Sequence, residues 1–252
     1  MATVTGDAER GRGVQGLAKQ ANPAFAAGAV AIPVLALAGA LATNDLTALT
    51  YVHVMAGVLW TGIDLFMGLV LGPVLGGLEP DQRAGFFATF TPKMTFLMPV
   101  LAMVTITGGI TLASRWGDFT NATPWLALMT AAILIPVVVL VGWQFDALTS
   151  GRTLGVLAVV ALGAGGWVAT TLQSIGAISH WILAALVVVT VLSIIGFGVI
   201  LPGEVRIYRQ LVSGDPDVDL ISDIGMRNAK LGGLQGLLQL AVIFVMVNIR
   251  LV

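Results

Sequence analysis

The chain has 252 residues, of which 57% are hydrophobic and 10% charged, with a formal net charge of −1. A soluble domain carries about 25% charged residues, so an ordinary cytosolic globular domain and a disordered chain are both excluded. With no basic field to attract phosphates, nucleic acid is excluded as a partner. Cys is absent, which removes disulfides, iron–sulfur clusters and thiolate zinc sites and leaves two histidines as the imidazole ligands.

Residues 1–23 carry Asp7, Glu9, Arg10, Arg12 and Lys19. They are too polar for a signal peptide and read as a cytoplasmic N-terminal tail. A helix crosses the hydrocarbon core with about 20 apolar residues. Seven segments qualify: 24–43, 47–76, 93–114, 124–147, 152–173, 178–201 and 229–251. In the second, Pro73 bends or ends the helix. Apolar runs such as Trp181–Val189 and Leu240–Val247 are continuous, unlike the alternation of a membrane β-barrel. The fold expected is therefore an all-α polytopic membrane bundle of about seven transmembrane helices. It forms one integral membrane domain over 1–252, with the bundle at 24–251.

Small residues at four-residue spacing, Gly68-Gly72-Gly76 and Ala161-Gly165, offer close helix crossings. The longest connection, 202–228, contains Asp215, Asp217, Asp219 and Asp223 but lacks the central Gly and closing Glu of a calcium loop. Within it, Glu204–Leu211 is expected to continue helix six, and Ser213–Pro216 to turn. Lys and Arg set the orientation. With the N-terminus inside, Arg10, Arg12, Lys19, Arg83, Lys93, Arg152, Arg206, Arg209, Arg227 and Lys230 face the cytoplasm. Arg115 and Arg250 face out, which accounts for all 12 basic residues. The expected location is a cell membrane, multi-pass, with the C-terminus external and the lipid bilayer as first partner.

Ionisable groups at bilayer depth are costly, so each counts as a candidate site. His53 and His180 lie a few residues below the outer ends of helices two and six. That is the arrangement in which two imidazoles share a haem or a metal, and equally one in which each anchors at the interface beside Tyr51 or Trp181. His53, Gly57, Trp60, Asp64 and Met67 follow a 4-3-4-3 step and share one helix face. Gly57 there leaves room for a flat group or for a neighbouring helix. On helix seven, Gln235 and Gln239 form a second polar stripe. Gln239 and Thr105 come near the depth of Asp64, so either is expected to hydrogen-bond its carboxyl. Met94 and Met98 form an i, i+4 pair that suits copper(I) or simply fills core.

The stretch His53-Val-Met-Ala-Gly-Val-Leu-Trp60-Thr-Gly62, followed by Leu71-Gly72-Pro73, resembles the His-x6-Trp-x-Gly helix of the copper-resistance D family of membrane proteins. It is also similar to the His-x6-Trp helix of the membrane protoporphyrinogen oxidase family. The resemblance implies a helical bundle in which the histidine of this helix, His53 here, is a haem-ligand candidate. After the Trp the oxidase family continues with an Arg and a Tyr-His, where this chain has Asp64, Leu65 and Phe66.

The leading expectation is a b-type haem protein for electron transfer or redox chemistry. His53 and His180 would be the axial ligands, Gly57 and Trp60 would shape the pocket, and a redox partner or a second copy of the chain would dock on it. Two alternatives stay open. One is a metal-ion or small-solute transporter, with copper in place of haem or no cofactor at all, and Asp64 and Gln239 lining the path. The other is a structural subunit whose polar residues only pair helices.

Overall fold

The computed structural model describes residues 13–251; the expectations resting on Asp7, Glu9, Arg10 and Arg12 lie outside them. The described residues form helices and no strand. Seven helical spans are long and apolar enough to cross a membrane, and the protein is an integral membrane helical bundle. The helices are α1 (Gly13–Ala21), α2 (Pro23–Ala42), α3 (Leu46–Leu65), α4 (Gly72–Gly76), α5 (Pro80–Arg115), α6 (Ala122–Gln144), α7 (Gly151–Thr171), α8 (His180–Ile195), α9 (Leu201–Leu211) and α10 (Val218–Leu251). A π-helical turn, Phe66–Leu71, joins α3 to α4 in one span, and another, Gly196–Ile200, joins α8 to α9.

Capping side chains set most starts. Asp45 Oδ1 accepts from the amides of Thr47 at 2.8 Å and Ala48 at 3.1 Å. Asn22, Ser150 and Ser179 do the same for α2, α7 and α8. Each satisfies an amide that the first helical turn leaves without a partner.

Three sequence expectations are corrected here. Residues 13–21 are not a free tail: α1 packs on the bundle and buries Gly16, Leu17 and Ala21. Helix α5 begins at Pro80 rather than near residue 93, because Glu79 and Gln82 form a capping box and Pro92 is accommodated inside the helix. Helix α10 begins at Val218 rather than 229, so the 202–228 connection shrinks to a turn at 212–217. Apolar run length marks the part of a helix that sits in lipid, whereas α5 and α10 continue past it as amphipathic helix. At about 54 Å for its 36 residues, α5 far exceeds the hydrocarbon thickness. The extensions pack together around Leu75, Phe87, Ile207, Ile221 and Ile224. This end of the bundle holds Lys19, Arg83, Arg152, Arg206, Arg209 and Arg227 and is called the basic end below.

The inner ring of the bundle is α3, α5, α8 and α10, joined through Ala56, Trp60, Leu101, Val104, Leu192 and Val242. Helices α2, α6 and α7 stand outside it and bury little surface within the chain. Of the small-residue stripe, Gly68 makes a close crossing: a β-carbon there would fall inside the backbone of Gly233 on α10. Gly76 and Gly165 face open space, and Ala161 is exposed. Gly68→Leu should therefore destabilise the fold by about 1–3 kcal/mol through overpacking, while Gly76→Leu stays near the parent. Thermal melts in detergent would show a drop for the first alone; equal melts would contradict the crossing.

Both π-helical turns lie just before a proline, Pro73 and Pro202. Pro202 has no N–H, so the carbonyl of Gly198 loses its α-helical partner. Gln144 of α6 replaces it, its Nε2 donating at 2.7 Å. Asn228 Nδ2 donates to the carbonyl of Ile200 at 3.1 Å and Gln235 Nε2 to that of Leu192 at 2.8 Å. Side-chain amides thus satisfy a helix that the bilayer cannot hydrate.

Candidate functional site

Two cavities lie between the ring helices, and Trp60 and Leu192 line both. The outer one, toward the end opposite the basic end, has a volume of about 420 Å³, within the range of about 300–1,000 Å³ typical of ligand pockets. Its walls come from α3, α5, α8 and α10, with Met129 of α6 and Trp116, Asp118 and Phe119 of the α5–α6 connection added, and are largely apolar. His53 stands in this wall, as do Gly57 and Thr105.

The imidazole of His53 is held in one orientation. Its Nδ1 lies 2.8 Å from the carbonyl oxygen of Thr105. A carbonyl only accepts, so Nδ1 carries the hydrogen and Nε2 keeps the lone pair. Among the described residues no hydrogen bond to Nε2 is present. The ring lies against Gly108 and Gly109 of α5: a β-carbon on Gly109 would come within 2.8 Å of His53 Cε1. Glycine at 109 is therefore a condition of the ring's position. At Gly57 an added β-carbon would meet the Thr105 methyl at 3.3 Å, so this residue serves helix approach and pocket lining together.

His180 is placed differently. It is the first residue of α8, exposed, with its ring 4.8 Å from that of Trp181. Trp181 in turn packs edge-on against Phe244 of α10 at 6.2 Å. His180 is outside the lining of the cavity that holds His53. Similar depth along two helices did not bring the imidazoles to one cavity, because depth leaves the rotation of each helix open.

The inner cavity, of about 90 Å³, lies toward the basic end and is lined by Asp64, Glu204, Asn228 and Gln235 among apolar residues that include Met67, Met94 and Met98. Asp64 is 3% exposed and Gln239 4%. Gln239 Nε2 donates to Asp64 Oδ2 at 2.9 Å, and Trp60, one turn earlier, reaches the same carboxyl. Of the two partners expected for Asp64, Gln239 is the one found. Thr105 instead gives its carbonyl to His53, and its hydroxyl is buried without a partner. Gln235 also serves another role, bonding the Leu192 carbonyl of α8.

Glu204 escaped the sequence reading as a site residue. The sequence pattern puts it on a cytoplasmic extension of helix six, yet it is buried. Asn228 Nδ2 donates to its Oε1 at 2.8 Å, and Thr91 faces the same carboxyl. Arg227 bonds Asn228 Oδ1 at 3.2 Å and Gln144 Oε1 at 3.3 Å. Among the described residues, no group of three or more His, Asp and Glu side chains converges as a metal site would require.

Set beside known protein families, curated proteins and solved structures, the chain matches none.

Proposed function

We propose that this integral membrane protein is a haem-binding redox protein in which His53 is the iron ligand and the outer cavity is the haem pocket. The observation that carries the reading is the His53 imidazole: Nδ1 is tied to the Thr105 carbonyl, and Nε2 is left with its lone pair at the wall of a large apolar cavity. A ligating histidine typically has its other nitrogen fixed in this way, which sets the tautomer and raises the basicity of the ligating nitrogen.

The residues present fit the group. The walls are largely apolar, Trp60 and Gly57 lie at the cavity surface, and Met129 and Met246, whose thioethers would help to hold the group, share the same lining. His180 serves instead as an interfacial residue tilted against Trp181. Haem, when bound, supplies one-electron redox chemistry at its iron. The chain's own residues bind it, fix the ligand's orientation and keep water away. The resemblance of His53–Gly62 to haem-associated His-x6-Trp helices supports the same assignment of His53.

The test is the absorption spectrum of detergent-solubilised protein from haem-replete cells. A Soret band in the parent is the expected result, and colourless protein would end the proposal.

The basic end faces the cytoplasm in this reading, since basic residues in short loops are retained inside. The absence of Cys makes this simple to check. Single cysteines at Thr120 and Asp215, both exposed and at opposite ends, are expected to react with a membrane-impermeant maleimide on intact cells at position 120 and, only after lysis, at position 215. Labelling of both on intact cells would contradict the seven-span topology.

A further inference from the structure

The inner cavity carries a second inference, and it stands whether or not haem occupies the outer one. Glu204 is 8% exposed, and its Oε2 has no hydrogen-bond partner although it is buried. The Thr91 hydroxyl faces the same carboxyl. A buried polar atom without a partner is costly, and such atoms in native proteins point to a ligand or to internal water. The adjoining cavity of about 90 Å³ can hold a few waters, each needing two to four polar partners. Asp64, Glu204, Asn228, Gln235, Thr95 and Ser193 supply them.

The two carboxyl groups differ in depth. Glu204 stands seven residues from the end of α9 at Leu211, about 10 Å along the axis, while Asp64 stands twelve residues above Gly76, about 18 Å. The difference of roughly 8 Å is the length of a short water chain. Asp64 also sits at the wall between the cavities. It lines the inner one, while its partner Gln239 lines the outer one and leaves its own Oε1 buried and unpartnered. Both π-helical turns border the inner cavity, through Met67, Gly196, Phe197 and Ile200, and such turns are frequent at functional sites.

We propose that the inner cavity is a proton-transfer compartment in which Glu204 passes protons, through internal water, between Asp64 and the basic end. Asp64, protonated at rest, releases its proton to the nearest water; the chain hands one on to Glu204, whose own proton leaves to the solvent at the basic end; the reverse sequence returns a proton to the Asp64 carboxylate. No electrons move. The cation that faces Glu204 is Arg227 of α10, itself adjacent to Arg206 of α9. It offers the emptied Glu204 carboxylate a counter-charge while the proton is in transit. Asp64 and Glu204 are the charged side chains lining the cavity.

Infrared difference spectroscopy with a switch from H2O to D2O tests this on the full-length protein in lipid. Two protonated carboxyl C=O bands that shift in D2O are expected, with Asp64→Asn removing one and Glu204→Gln the other. In Glu204→Gln the Asp64 band should exchange slower by on the order of a hundredfold, and Glu204→Asp, which keeps a carboxyl there, should restore much of the rate. Where Glu204→Gln does not accumulate, modification of Glu204 in the parent protein by dicyclohexylcarbodiimide supplies the same block. Unchanged Asp64 exchange after loss or block of Glu204 overturns the relay. So does the absence of both bands, which would mean two fixed carboxylates.

Discussion

His53→Ala is expected to abolish the haem absorbance of the purified protein, while His180→Ala leaves it intact. The contrast follows from placement. His53 lies at the wall of the outer cavity with Nε2 unengaged, whereas His180 is exposed at the start of α8 and outside that wall. Gly109→Leu should act nearly as strongly although it removes no ligand. A β-carbon at 109 comes within 2.8 Å of the His53 ring, so the ring must leave its position and its bond to Thr105. Disturbing the residues that orient a metal ligand costs about 10–100-fold in affinity. Haem content per protein, measured by pyridine haemochrome, reads all three variants. Retention in His53→Ala, or loss in His180→Ala, would contradict the one-histidine pocket.

The second large effect concerns Asp64. Replacing Gln239 by Leu takes away the donor to Oδ2 and leaves a carboxyl at bilayer depth, with an expected cost of about 1–3 kcal/mol. Replacing both, Asp64→Leu with Gln239→Leu, should recover much of that loss, because the acceptor and the donor of the pair go together and only the Trp60 N–H loses a partner. Thr105→Val should be close to neutral, since the Thr105 hydroxyl has no partner and its carbonyl, which holds His53, is retained. Melting temperatures of the four proteins in one detergent settle the matter. An equal loss in Thr105→Val, or no loss in Gln239→Leu, would contradict the assignment of Gln239 as the donor.

Both predictions mark where local pattern ends and packing begins. The sequence by itself determined the membrane class and the seven apolar spans. Hydrocarbon thickness acts on the chain locally, so the length of an apolar run carries the information directly. It also indicated the His53–Trp60–Asp64 face and two candidate partners for Asp64, Gln239 and Thr105, of which Gln239 is the one found, because a 4-3-4-3 step fixes the face of a helix and position fixes depth.

Tertiary structure alone decided the rest. Depth leaves open how each helix is rotated, so it could not tell that Thr105 serves His53 rather than Asp64, or that His180 turns outward onto Trp181. The extensions of α5 and α10 lie beyond the apolar runs and are held by contacts among Phe87, Ile207, Ile221 and Ile224, which are distant in sequence. Glu204 reads as a surface charge along the chain. It becomes an interior group only because a π-helical turn before Pro202 and the amide of Asn228 on α10 bring it against the cavity.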